Sequence, residues 1–283
     1  MKAAAFDYRC PADLAEAGRL LADGDGRAKI MAGGQSFGPM LNLRLTRPQT
    51  VVDVSRLPGF DQVRAEGEHI VLGAGITHAA IEDGVHAPLR GHPMQQVAAG
   101  IAYRAVRNRG TLGGSLAHAD PAADWIVTLT ALDARLTLRS PRGERHIAMD
   151  DFMQAAYTTA LAADEVIVSV RVPRAQGGRW GYYKFCRKPG EFAEASAAAW
   201  QPAGGGTPRL VLGALDGVPM QLPALAQRIE REGAAAARRA HLAQAVQAAL
   251  PDRHAVDNQW HAVCLARALA QAGLAAAHPE KQA

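Results

Sequence analysis

The chain has 283 residues, 48% of them hydrophobic, which is enough to bury one large core or several smaller ones. Lys and Arg exceed Asp and Glu by 31 − 27 = 4, and this surplus is spread without a basic tract, which argues against a nucleic-acid-binding protein. The three cysteines are far apart and form no CxxC pair, so this chain alone cannot build an iron–sulfur cluster or a structural zinc site.

The same features indicate the compartment. An odd number of widely spaced cysteines argues against a disulfide framework and favours a reducing cytoplasm. The first apolar run ends at Asp7, which is too short for a signal peptide, and no apolar stretch reaches the roughly 18 residues of a membrane span. We therefore expect a cytoplasmic protein without membrane insertion.

The first 57 residues predict a small α/β subdomain. Residues 11–21 have the pattern of an amphipathic helix with Pro11 in its first turn and Leu14, Ala17 and Leu21 on one face. A strand at 29–32 leads into two glycines, a helix follows at 37–45, and a second strand occupies 50–54.

Residues 58–173 predict a second subdomain, with strands at 69–72, 134–138 and 165–172 and helices at 77–83, 93–100 and 122–131. In the last strand, Val166, Val168, Val170 and Val172 are expected to face one way, and Ile167, Ser169 and Arg171 the other.

A linker at 173–178 precedes a third region with strands at 180–185 and 210–215. From residue 223 to the end, an Ala-rich helical pattern is broken at Gly233 and Pro251. Trp260, Val263 and Cys264 stand at helical spacing and are predicted to lie in the core of this α+β region.

Two glycine motifs carry the candidate chemistry. In Ala32-Gly33-Gly34-Gln35-Ser36, small residues between a strand and a helix let the backbone approach a ligand, and N–H groups at the helix start attract an anion. The alternative is a strand-to-helix turn capped by Ser36. Thr111-Leu112-Gly113-Gly114-Ser115 repeats the pattern, and two such loops can clasp the two ends of a diphosphate.

The chain contains no dinucleotide-binding GxGxxG fingerprint. Gly73-Ala74-Gly75 comes nearest, but His78 stands where the third glycine belongs, so we interpret this segment as a turn after a strand. A nucleotide site in this chain is therefore not expected to belong to a doubly wound fold.

Two polar clusters leave alternatives open. His118, Asp120 and Asp124 could bind a metal, but we prefer Asp120 as a helix N-cap with Pro121 following, and Asp124 as a ligand contact. Lys184, Arg187 and Lys188 near Glu191 either lie on a solvated strand edge or place a lysine near a carbonyl or a phosphate of a bound cofactor.

The ordered set of motifs resembles one family. Residues 32–40, Arg107-Asn108-Arg109-Gly110 with the second glycine motif, and 118–124 are similar to the FAD-binding medium subunits of xanthine dehydrogenase and carbon monoxide dehydrogenase type molybdenum hydroxylases. Later landmarks at 164–168, 183–185 and 191–193 agree. The resemblance implies an α+β fold: a PCMH-type FAD-binding domain of two α/β subdomains, 1–57 and 58–173, and a C-terminal α+β domain at 174–283.

The resemblance also implies the residues that bind FAD. They are Ile30, Ala32, Gly33, Gly34, Gln35, Ser36, Phe37, Ile101, Thr111, Leu112, Gly113, Gly114, Ser115, Asp124, Ile167 and Lys184. Serine at position 115 is a departure, because relatives often carry asparagine there, and a water can make up the shorter reach. No catalytic residue and no metal ligand is expected in this chain.

In the resembling complexes, a large molybdopterin subunit hydroxylates the substrate, and a small subunit with two [2Fe-2S] clusters passes electrons to FAD and on to an external acceptor. We therefore expect an electron-transfer subunit, assembled by analogy with the resembling complexes into a dimer of heterotrimers. The alternatives are a stand-alone FAD oxidase or dehydrogenase of the same fold, and a scaffold that has lost its flavin.

Overall fold

The structure, a computed structural model, describes residues 2–275. Within this range the chain forms two compact units. The first contains the residues up to Asp120 together with Asp133–Pro173, and the second contains Pro121–Leu132 and the residues from Arg174 onward. The mixture of helices and sheets confirms the predicted α+β class. The helical prediction for residues 276–283 lies outside the described residues.

The elements up to residue 120 are β1 (Asp7–Arg9), α1 (Leu14–Asp23), β2 (Ala28–Met31), α2 (Phe37–Asn42), β3 (Thr50–Asp53), β4 (Val63–Glu66), β5 (His69–Gly73), α3 (His78–Glu82), α4 (Pro93–Ala99), α5 (Arg104–Arg107) and α6 (Leu112–His118). Those that follow are α7 (Asp124–Ala131), β6 (Arg135–Ser140), β7 (Gly143–Ala148), α8 (Met149–Phe152), β8 (Met153–Ala155), β9 (Thr158–Thr159), β10 (Val166–Pro173), β11 (Arg179–Phe185), β12 (Ala195–Gln201), β13 (Arg209–Gly213), β14 (Met220–Gln221), α9 (Pro223–Glu232), α10 (Arg239–Ala249) and α11 (Ala255–Gln271).

The first unit contains two main sheets. A three-stranded parallel sheet has the order β1-β3-β2, and helices connect its strands because parallel neighbours need a crossover. A five-stranded antiparallel sheet has the order β4-β5-β10-β6-β7. β8 and β9 form a separate two-stranded hairpin. The last residue of β2 and the first residue of α2 bracket the first glycine motif, and α6 contains most of the second.

Helix α1 begins three residues later than expected. Asp13 is its N-cap, with a carboxylate that accepts a hydrogen bond from the backbone N–H of Glu16 at 2.7 Å. Pro11 therefore precedes the helix, and its predicted place in the first turn is wrong. Ala17 and Leu21 are buried on the inner face as expected, whereas Leu14 is only partly covered.

Strand β10 does not alternate cleanly. Its pairing with β6 shifts register between Ile167 and Ser169, which is the mark of a β-bulge. Ile167 pairs with Leu138 and Val170 with Leu136, so Ile167 shares a face with Val170, and the predicted division of this strand into two faces is wrong at Ile167. At the bulge, the carbonyl of Val168 accepts a hydrogen bond from Ala74, outside the ladder.

The second unit is built on the four-stranded antiparallel sheet β11-β12-β13-β14. Helix α11 covers one face, where Leu265 and Leu269 pack with the alanines of β12. All eight residues of α7 are buried, and Val127 in that helix contacts Gly213 in β13. β12 was missed by the sequence patterns because alanine, its main residue, is depleted in strands. The small side chains of β12 let α11 approach the sheet closely.

The predicted core group in α11 is only partly correct. Cys264 is fully buried, and the ring of Trp260 lies 5.1 Å from that of Phe185, measured between centroids. Val263 is 36% exposed, so its predicted core position is wrong. The buried face of α11 is centred on His261, Leu265 and Ala268, and Val263 lies on the opposite side of the helix.

Gly181 in β11 allows the close approach of α11. A Cβ atom at this position would lie 1.8 Å from the carbonyl oxygen of Ala268. We expect Gly181→Ala to lower the free energy of unfolding by about 3 kcal/mol or more, because helix and strand would have to separate. Gly217→Ala is the matched control, since a Cβ there meets nothing within 4 Å. Equal thermal unfolding midpoints of the two variants would contradict this expectation.

Candidate cofactor site

The first glycine motif is a tight connection between β2 and α2. Gly34 has a φ of 69°, a left-handed conformation that glycine adopts without strain. Ser36 is helical with φ −101°, and its hydroxyl makes no capping hydrogen bond, so the alternative of a serine-capped turn is wrong. The side-chain amide of Gln35 instead donates to the carbonyl of Gly33 at 3.1 Å.

This motif carries hydrogen-bond donors that the protein does not use. Among the described residues, no acceptor takes the backbone N–H of Gly34, Gln35 or Ser36. Gln35 and Ser36 are also exposed. Consecutive open N–H groups leading into a helix favour a negatively charged ligand.

The second glycine motif has a different structure. Thr111 is the N-cap of α6, and its hydroxyl accepts a hydrogen bond from Gly114 N–H at 3.1 Å. The N–H groups of Leu112 and Gly113 donate to the carbonyls of Ile76 and Ala74, at 3.0 and 2.8 Å. The protein thus uses these donors itself, and what the motif presents to solvent is exposed Gly114 and half-buried Ser115.

The two motifs meet through their backbones. A Cβ atom on Gly33 would lie 1.9 Å from the carbonyl oxygen of Arg109 and 2.9 Å from the Cα of Gly110. Only a glycine fits at this distance. The first motif therefore lies directly against the residues that lead into the second one, within the first unit.

The segment after β5 supports the second motif. His78 N–H donates to Gly110 at 2.9 Å, and Thr77 pairs with Thr111 in an isolated bridge. A Cβ on Gly113 would lie 2.6 Å from that of Ala74. The Gly73-Ala74-Gly75 turn predicted from the sequence therefore also packs against the start of α6.

Ile101 lies in the turn between α4 and α5, half-buried. Arg107 holds this turn: its Nη1 donates to the carbonyls of Ile101 and Ala102, at 3.0 and 3.1 Å. The same guanidinium forms a bidentate pair with Glu82, at 2.7 and 3.0 Å. These hydrogen bonds and the positive charge of Arg107 lower the pKa of Glu82.

The expected cap of α7 is wrong. The N-cap is Ala123, and the helix begins at Asp124, so neither Asp120 nor Pro121 occupies a capping position. Asp120 instead accepts a hydrogen bond from the hydroxyl of Tyr157 at 3.4 Å. Helix α6 ends with Ala119 in a left-handed conformation, and residues 121–122 form a turn before α7 begins.

Asp124 and Lys184 form a buried ion pair in the second unit. Lys184 Nζ lies 2.8 Å from the Asp124 carboxylate, which also accepts a hydrogen bond from the Tyr182 hydroxyl at 2.7 Å. Burial, helped by this carboxylate, raises the pKa of Tyr182 well above its usual value. Lys184 is thus separate from Arg187, which pairs with Glu191 at 3.5 Å.

The other predicted contacts lie in the first unit. Ile30 and Phe37 flank the first motif and are half-buried, whereas the Ile167 side chain is 5% exposed beside the β10 bulge. Among residues 2–275, no group of three or more His, Cys, Asp and Glu side chains is arranged to hold a metal ion. In the same range no helix has both the length and the apolar character needed to cross a membrane.

Two residues that hold predicted cofactor contacts in place, Arg107 and Tyr182, were not identified from the sequence. Arg107 was visible as part of a motif, but nothing in the sequence connected it to Glu82, which lies 25 positions earlier. Tyr182 was missed for the same reason, because its partner Asp124 is 58 positions away. A long-range pair leaves no local pattern.

Comparison with known proteins identifies the family of this chain. Residues 4–175 match the family described as the FAD-binding domain in molybdopterin dehydrogenase. The chain belongs to this family. FAD is therefore its cofactor and oxidation–reduction its chemistry, and the resemblance seen in the motifs is confirmed.

Curated relatives and solved structures agree with this membership. The nicotine 6-hydroxylase medium subunit of Paenarthrobacter nicotinovorans is 41% identical over 201 residues, 70% of this chain and 69% of the relative. The carbon monoxide dehydrogenase medium chain of Hydrogenophaga pseudoflava is 36% identical over 71% of each chain. The structure of quinoline 2-oxidoreductase from Pseudomonas putida 86 aligns with a TM-score of 0.86 at 32% identity, over 96% of this chain and 98% of that one.

His78 makes the first unit of this FAD-binding protein sensitive to acid. Burial, with a contribution from Arg107, lowers the pKa of His78 from 6.5 to about 4. The unfolded chain therefore binds the proton first, and stability falls as the pH drops from about 6.5 to about 4, by roughly 3 kcal/mol for this group. We expect His78→Gln to flatten the dependence of the unfolding midpoint on pH in this window.

The control for this prediction is His146→Gln, because the side chain of His146 is 66% exposed. It should leave the pH dependence as it is in the unaltered protein. An unchanged slope in the His78 variant would show that the buried imidazole is not the group that titrates.

Proposed function

We propose that this chain is the FAD-binding electron-transfer subunit of a heterotrimeric molybdenum hydroxylase. Electrons would arrive from the [2Fe-2S] clusters of a small subunit, pass through FAD in this chain and leave to an external acceptor. The substrate would be hydroxylated on a large molybdopterin subunit. The observation that carries the FAD assignment is the set of open N–H groups at Gly34, Gln35 and Ser36, held against the Arg109-Gly110 backbone.

The residues of the first motif suit the diphosphate of FAD. A diphosphate needs several donors on neighbouring atoms, and three consecutive backbone N–H groups without a protein acceptor supply them in the described chain. Gly34 adopts a left-handed conformation and has no side chain that could cover its own N–H group. The donor chemistry and the bare backbone together fit the cofactor.

The second motif would contact the cofactor through its exposed backbone and a hydroxyl group, because the N–H groups of residues 112–115 already donate to acceptors within the protein. Gly114 offers bare backbone for close approach, and Ser115 offers a hydroxyl with a shorter reach than asparagine. Ile30, Ala32, Phe37, Ile101, Asp124, Ile167 and Lys184 stay predicted FAD contacts. FAD itself supplies the redox chemistry that amino-acid side chains lack.

The subunit role is supported by the names of relatives, which include medium subunits and medium chains of several dehydrogenases and hydroxylases. We propose a small [2Fe-2S] subunit and a large molybdopterin subunit as partners, assembled as a dimer of heterotrimers in the cytoplasm, without nucleic acid. We also propose that the FAD-binding part divides at residue 57 and gives way to the C-terminal domain at residue 173.

The proposal is tested by expressing the chain alone and with candidate partner subunits. The purified chain, reconstituted with FAD, should show the visible absorption bands of a bound flavin. Tagged chain from its native host should carry with it an iron–sulfur protein and a molybdopterin protein. Failure to bind FAD would refute the cofactor assignment. Substrate turnover by the isolated chain would refute the subunit role in favour of a stand-alone flavoenzyme.

Gly114 tests the second motif. Gly114→Val places a branched side chain at an exposed position where only the Thr111 hydroxyl lies near a Cβ, at 2.8 Å. We expect FAD retention to fall by about tenfold or more, because the backbone can no longer approach the cofactor. Gly217→Val, in open surroundings, is the control and should retain FAD. Normal flavin occupancy in a folded Gly114 variant would remove this motif from the cofactor site.

A further inference from the structure

Arg107 has an arrangement that a simple surface ion pair does not need. Its side chain is 12% exposed, and four of its N–H groups are engaged: two with Glu82 and two with the backbone carbonyls of Ile101 and Ala102. Neighbouring Arg104 makes ion pairs with Glu82 and Asp83, but its side chain is 48% exposed and it donates to no backbone carbonyl of the turn.

The turn held by Arg107 is strained. Ala102 has a φ of 42°, in the left-handed region that residues with a Cβ avoid at a cost of about 1 kcal/mol. Such a conformation persists only where the surroundings impose it. The carbonyls of Ile101 and Ala102, which lie on either side of the Ala102 Cα, both accept from one guanidinium nitrogen of Arg107, and this supplies that constraint.

We propose that Arg107, fixed in place by Glu82, is a positioning residue for the flavin site: it holds the left-handed turn at Ala102 and thereby aims Ile101 at FAD. This inference rests on the proposed function, which makes Ile101 a cofactor contact. Arg107 itself touches no cofactor in this assignment. Its effect passes through the backbone of the turn.

The geometry requires arginine at this position. The planar guanidinium presents donors in several fixed directions, so that it serves the carboxylate and the two carbonyls at once. A lysine keeps the charge but has a single donor atom and cannot span Glu82 and the turn together. When Arg107 is replaced by lysine, Ala102 is free to relax to negative φ, and Ile101 moves with it.

The test uses the full chain, stripped of flavin and titrated with FAD while protein fluorescence is followed. We expect Arg107→Lys to raise the dissociation constant for FAD by about tenfold. Arg104→Lys is the matched control, because it removes only exposed ion pairs, and it should stay within about twofold of the unaltered chain.

A rescue variant separates positioning from general stability. In the double variant Arg107→Lys with Ala102→Gly, glycine keeps the left-handed turn without strain, so FAD affinity should return to within about threefold of the unaltered chain. Loss of stability alone would not be reversed by a glycine, which also loosens the unfolded chain. The unfolding midpoint of each flavin-free variant is measured in parallel.

Three results would overturn the proposal: unchanged FAD affinity in Arg107→Lys, an equal loss in Arg104→Lys, or no recovery in the double variant. A variant too unstable to purify is replaced by Glu82→Gln, which weakens the clamp from its other side and should weaken FAD binding in the same direction. Failure of the unaltered chain to bind FAD would instead refute the proposed function, so the two failures are distinguishable.

Discussion

The contact between two backbones is the constraint on which the candidate site depends. Gly33 lies so close to the carbonyl of Arg109 that a single methyl group on Gly33 would force the two backbone segments apart. Because the contact involves backbone on both sides, no change of rotamer could relieve it. It joins a loop from the parallel sheet to a helix start beside the antiparallel sheet, and it makes two separate motifs into one surface.

The two motifs contribute different things to that surface. Among the described residues, the backbone N–H groups of Gly34, Gln35 and Ser36 in the first motif have no acceptor, which suits an anion. The N–H groups of the second motif donate to Ala74, Ile76 and Thr111, and these hydrogen bonds hold it in place. Behind them the Glu82–Arg107 pair holds the Ile101 turn from inside the first unit. In the second unit, the Asp124–Lys184 pair is buried together with the Tyr182 hydroxyl, and such a pair is costly unless its members are fully hydrogen-bonded.

Local patterns predicted much of the fold and failed in identifiable ways. Elements with strong periodicity, such as α1 and the strand that became β10, were found, but their details were set by other parts of the chain. At the β10 bulge, the Val168 carbonyl accepts a hydrogen bond from Ala74, a residue distant in the chain, and α7 begins at Asp124 and not at the predicted Asp120–Pro121 cap. β12 could not be recognised, because a run of alanines is more typical of a helix than of a strand. Its alanines are explained only by the packing around the strand, where small side chains are needed.

The sequence by itself determined the family, the cofactor and the two glycine motifs, because glycines at fixed spacing are needed for close backbone approach and survive as a readable pattern. The tertiary structure decided which motif has donors to offer, that the Ser36 hydroxyl makes no capping hydrogen bond, that Asp120 is not the cap of α7, and that Arg107 joins Glu82 to the Ile101 turn. These features arise from pairs of residues distant in the chain. Their energies depend on distance and burial in space, which no local pattern of residues records.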